Sequence, residues 1–142
     1  MKREEQEIQI QVFEWAEWMK GRYPELKLMH HIPNGGGRSK AEAGIFKAMG
    51  VKRGIPDVFL PAPRGRYHGL YIEFKSRSGT TSKDQSCVLE SLQEAGYLTY
   101  VCNKSYEAIK LIEKYLALPE VNMTYLLIDK YGEQYCERCT IE

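Results

Sequence analysis

Two short apolar runs flanking a glycine-centred loop constrain this chain more than any other feature. Ile55 to Leu60 and Gly69 to Lys75 have the length and composition of strands, while Pro61, Pro63, Gly65 and the polar residues around them break the chain between. The pair reads as a hairpin with a long loop. Side chains alternate across a strand, so Tyr71, Glu73 and Lys75 share one face and Leu70, Ile72 and Phe74 the other. With the loop symmetric about Gly65, Asp57 falls opposite Glu73, and Val58 and Leu60 join the apolar face. One face is then a core face, and the other carries two carboxylates and an ammonium group at one end. Two carboxylates that close repel each other unless a cation lies between them. Hard oxygen ligands with room for water suit Mg2+, with Mn2+ as a substitute.

Glu-x-Lys alone describes many surface hairpins with a loose ion pair, and Pro-Asp alone is equally common. The ordered series is more specific: Gly54-Ile55-Pro56-Asp57, a strand, a loop, Glu73-Phe74-Lys75, then a helix opening near Gln85. A motif counts only in its expected context, and here the context is complete. Together with Glu5-x-x-Ile8-Gln9 and Ile32-Pro33-Asn34-Gly35-Gly36, this series resembles the PD-(D/E)xK nuclease superfamily. Within it, the chain is similar to the virus-type replication-repair nuclease (VRR-NUC) family over roughly residues 4 to 116. The resemblance implies metal-dependent hydrolysis of DNA phosphodiesters, in branched DNA such as four-way junctions, by a homodimer. It implies that Asp57, Glu73 and the Phe74 main-chain carbonyl hold Mg2+, with Glu5 reaching in from the first helix, and that Lys75 and Gln85 complete the catalytic set. Two other readings stay open: a restriction-type endonuclease that reads base sequence, and a non-catalytic DNA-binding protein on the same fold.

At 142 residues the chain is long enough for one domain with a real core, read as 1–118 with an appended strand and tail over 119–142. Lys plus Arg number 20 and Asp plus Glu 19, so overall charge gives no support for a polyanionic partner. The distribution says more, because basic residues crowd the middle of the chain around the expected centre. Asn34 in a Pro-Asn-Gly-Gly-Gly loop is a candidate DNA contact, though a plain turn fits as well. Ser39-Lys40-Ala41-Glu42 has capping-box spacing and places Arg38 and Lys40 at the positive end of a helix that ends at Gly50. Lys52 and Arg53 lead into the Pro-Asp. Arg64 and Arg66, with Tyr67, suit backbone contacts and stacking on an exposed base, or else form an ordinary hairpin tip. No Walker spacing follows the glycines, so no nucleotide cofactor is expected.

The remaining elements follow from periodicity. Residues 3 to 20 read as a helix burying Ile8, Val12, Trp15 and Met19, with Phe13 and Ala16 beside them. Its Glu5 is equally an acid suited to the first turn of a helix. Leu26 to Ile32 reads as a strand whose two histidines point to opposite faces, each in or near the core. Ser82-Lys83-Asp84-Gln85 has capping-box spacing, so Gln85 can serve as cap, site residue or both. That helix runs to about Ala95 and buries Val88, Leu89, Leu92 and Ala95. Tyr97 to Cys102 is a strand, and Ser105 caps a last helix with Ile109, Ile112 and Leu116 inward. The order α-β-α-β-β-α-β-α predicts an α/β fold, a restriction-endonuclease-like mixed sheet flanked by helices. Residues 123 to 129 read as a further strand, 130 to 133 as a turn, and Cys136-x-x-Cys139 as a pair too incomplete for zinc. No membrane span or signal peptide is visible, and a reducing cytoplasm is the expected setting.

Overall fold

The computed structural model describes residues 2–33 and 40–120. In chain order these form α1 (Lys2–Met19), a 3-10 turn (Pro24–Leu28), β1 (His30–His31), α2 (Lys40–Ala48), β2 (Val58–Leu60), β3 (Leu70–Phe74), α3 (Lys83–Glu94), β4 (Leu98–Cys102) and α4 (Ser105–Leu116). The expected strand over 123–129, the turn after it and the Cys136/Cys139 pair lie outside the described residues, as does the Ser39 cap.

The four strands form one sheet in the order β1-β2-β3-β4. The first two pairings are antiparallel and β3–β4 is parallel, with α3 as the crossover. Val58 pairs with Ile72 and Leu60 with Leu70, so the hairpin is centred on Gly65, and continuing the register puts Asp57 opposite Glu73. At the tip, Arg64 and Tyr67 exchange both main-chain hydrogen bonds around a Gly65 with φ +56°. An L side chain rarely adopts that torsion, so glycine sets the turn.

One sheet face carries the core. Val58, Leu60, Leu70, Ile72, Phe74 and Cys102 pack beneath Ile8, Val12 and Ala16 of α1 and Ala108, Ile112, Tyr115 and Leu116 of α4. Each large apolar side chain so buried contributes about 1.5–3 kcal/mol. Trp15, Met19 and Phe13 are only partly buried at its margin. Among the described residues no helix is long and apolar enough to cross a membrane.

Four local expectations need correction. The strand over 26–32 shrinks to His30–His31, because Pro24 starts a 3-10 turn that buries Leu26 instead. Both histidines are exposed: the His30 ring meets Phe59 edge-on, and His31 holds main chain. In α3 only Leu89 is buried and Ala95 is exposed, since this helix lies along the β4 side of the sheet and buries a narrow stripe. Ser105 is not the cap of α4. Lys104 holds that position without a side-chain bond, and the Ser105 hydroxyl donates to Gln11 of α1.

Candidate active site

Asp57 stands one residue before β2, and three bonds fix it. Its main-chain oxygen accepts from the Ile32 N–H at 2.8 Å and from His31 Nδ1 at 2.7 Å, while its carboxylate Oδ2 accepts from the Phe74 N–H at 2.8 Å. The last bond ties Asp57 across the ribbon to the residue between Glu73 and Lys75. Pro56, rigid in φ, leads into it and is fully buried.

Glu73 is 3% exposed although it does not point into the apolar core. Its Oε1 accepts from Lys75 Nζ at 2.7 Å and from the Gln85 side-chain amide. Lys75 Nζ also donates to Gln85 Oε1 at 3.0 Å. Strand alternation puts Glu73 and Lys75 on one face, and α3 delivers Gln85 to the same place. Gln85 is at the same time the third residue of a complete capping box: its main-chain N–H donates to Ser82 Oγ, and its Oε1 accepts from the Ser82 N–H at 2.9 Å. Cap and site therefore share one side chain.

Burial controls the electrostatics. It raises the Asp57 pKa above the ordinary carboxylate value, against the pull of the Phe74 N–H and of Lys75. Burial pushes Glu73 up to about 7, partly opposed by the Lys75 hydrogen bond and reinforced by the charge of Asp57. Glu5 adds to the upward shift of both. Its carboxylate reaches over from α1 and accepts from the Ser76 N–H at 3.1 Å. The negative charge gathered here exceeds what Lys75 can neutralise, and that excess suits a cation. Among the described residues no three His, Cys, Asp or Glu side chains are gathered as a metal-binding group. Two carboxylates and a strand carbonyl nonetheless match a small hard cation that keeps much of its water. On this donor chemistry Asp57, Glu73 and the Phe74 carbonyl are the groups that would hold Mg2+.

The DNA-contact candidates divide. Lys52, Arg53 and Arg66 are exposed, Arg66 lying 5.4 Å over the Tyr67 ring. Arg64 is the correction: it is buried, paired with Glu25 and 3.5 Å from Glu120, and it donates to the Pro63 and Leu116 carbonyls. Every direction it points in is protein, so no phosphate reaches it. Tyr67 is partly buried against the core. Asn34 and Arg38 lie outside the described residues, and Lys40 is the first residue of α2.

Three residues have roles at the site that the sequence reading did not give them. His31 and Ser76 carry no spacing signal, since their partners lie 26 and 71 positions away. Gly54 did offer a signal as the first letter of Gly-Ile-Pro-Asp. Its φ is +81°, and a Cβ there would come within 2.8 Å of the Asp84 carbonyl oxygen and 3.1 Å of the Gln85 nitrogen. Only glycine lets the Asp57 loop lie against the first turn of α3.

Comparison with known proteins gives the family and the fold. The VRR-NUC domain model matches residues 3–105. A solved structure of a VRR_NUC domain protein superposes with a TM-score of 0.71 at 35% sequence identity, covering 83% of this chain and 92% of that one. No curated protein matches the chain. With the family model spanning well over half its length, on a shared mixed α/β fold, the chain belongs to the VRR-NUC domain family of nucleases.

Proposed function

We propose that this chain is a Mg2+-dependent endonuclease that hydrolyses phosphodiester bonds in branched DNA, four-way junctions among them, acting as a homodimer. The observation that carries the reading is the meeting of Asp57, Glu73, Lys75 and Gln85 from two strands and a helix on one sheet face. A bound Mg2+ or Mn2+ would be held by Asp57, Glu73 and the Phe74 carbonyl, with Glu5 alongside, and would supply an acidified water and charge neutralisation at the phosphate. Lys75 offers a fixed positive charge to the negative charge that builds on the scissile phosphate. Gln85 holds the lysine, so the ammonium does not swing away to solvent. The exposed Lys52, Arg53 and Arg66 take the DNA backbone, and Asn34, Arg38 and Lys40 are further candidate contacts by their sequence alone. A two-fold assembly presents two such centres, as a two-fold branched substrate requires.

The test is a Mg2+-dependent cleavage assay on flaps, forks, four-way junctions and linear duplexes, run beside Glu73→Gln and Lys75→Ala. Branched substrates should be cut, and both variants should cut them at least about 10²-fold more slowly. Cleavage that persists undiminished in both variants defeats the site. Cleavage of linear duplex at one sequence favours the restriction-type alternative. A second reading draws on the partners Glu73 already finds within its own chain. A chain that binds branched DNA and cuts none of it, with Mg2+ or Mn2+, is a non-catalytic binder.

A further inference from the structure

Ser76 follows Lys75 and is 1% exposed. Its main-chain groups are both satisfied: the N–H donates to Glu5 Oε1 at 3.1 Å, and the carbonyl accepts from the Gly79 N–H at 2.9 Å. Its hydroxyl is not. Among the described residues, Ser76 Oγ is a buried side-chain atom with no hydrogen-bond partner. A hydroxyl rotates to suit its surroundings, so one that finds nothing has nothing in reach. Leaving such a group buried costs about 1–3 kcal/mol, a cost that alanine in the same space would avoid. The neighbouring turn closes tightly over it, since a Cβ on Gly79 would clash with Ser76 Oγ at 2.9 Å. Among the described residues, the side chain tied to the Ser76 main chain is that of Glu5, an acid from α1 whose charge acts on both Asp57 and Glu73.

We propose that Ser76 is a positioning residue for Glu5: when a divalent cation enters the centre, Glu5 turns toward Asp57 and Glu73, and the Ser76 hydroxyl becomes the donor that holds it there, directly or through one water. The inference rests on the cation-dependent reading above. It explains why a serine with an idle hydroxyl stands beside the lysine. It also gives Glu5 two resting places, one on the Ser76 amide and one facing the cation.

The experiment is calorimetric titration of Mn2+ into the full chain, paired with thermal unfolding without metal. Ser76→Ala should leave the metal-free Tm unchanged or raise it, while weakening Mn2+ affinity by about tenfold, as loss of an outer hydrogen bond to a ligand does. Ser76→Thr, which keeps the hydroxyl, should bind as the wild type does. In a Glu5→Gln background, Ser76→Ala should have no further effect. A lower metal-free Tm in Ser76→Ala, an unchanged affinity, or an equal loss in the Glu5→Gln background overturns the inference. A wild-type chain that takes up no Mn2+ overturns the cation-dependent reading and this inference together. Uptake that Ser76→Ala leaves intact overturns this inference alone.

Discussion

The β2–β3 ribbon buries charge at both ends, and the two ends treat it in opposite ways. At the tip, Arg64 is surrounded by acceptors: Glu25, Glu120 and two main-chain carbonyls. At the open end, Glu73 sits at 3% exposure beside Asp57 and within the influence of Glu5, with Lys75 as the cation in hydrogen-bond contact. There burial, reinforced by the neighbouring acids, drives the carboxyl groups toward their protonated forms. A buried charge with a full set of partners belongs to the fold. A buried charge with an excess of its own sign nearby is the kind of place where a cation would bind.

The strongest challenge to that contrast is Arg64→Met. Removing one partner of a buried pair should destabilise by about 3–5 kcal/mol, read by chemical denaturation, while activity per folded molecule stays near wild type. A variant that folds normally but loses DNA affinity would return Arg64 to the DNA surface. At the other end the signs reverse. Lys75→Ala should lower cleavage by about 10²–10³-fold, the loss expected for one charge-stabilising donor, with native circular dichroism.

The third test is pH. The folded pKa of Glu73, near 7, lies above its ordinary 4.5. The protonated form therefore favours the metal-free fold, a contribution fully present below about pH 4.5 and lost as pH rises through about 7. The metal-free Tm should fall across that window, and Glu73→Gln should flatten the curve. Mg2+ should restore stability at the alkaline side, because its ligands must be ionised. A wild-type profile as flat as that of Glu73→Gln would remove the claimed imbalance.

The smallest effect separates the two duties of Gln85. Ser82→Ala removes a cap and should cost about 1 kcal/mol with cleavage retained. Gln85→Ala should cost a similar amount and also slow cleavage. Equal activities in the two variants would reduce Gln85 to a cap.

The sequence carried the open end of the ribbon better than the tip. Asp57 and Glu73 could be paired by counting outward from Gly65, because strand register is arithmetic once the turn is known. The order of elements also followed from periodicity and from glycine stops. Arg64 could not be read this way. In sequence it is one more cation in a proline-rich loop, and what silences it is Glu25, 39 positions earlier, and the Leu116 carbonyl, 52 later. The strand over 26–32 failed for a local reason, Pro24 favouring a tight turn over an extended entry. The α3 face failed because helical spacing shows which residues are apolar, not how much sheet lies beneath them.

Gly54 sets one more property of the molecule. Main chain rests on main chain where the loop before Asp57 meets the start of α3, with no side chain between to compress or be trimmed. Such a joint acts as a hard stop. The loop before Asp57 cannot settle further toward the helix that carries Gln85, so the contact sets how closely the two halves of the centre approach each other.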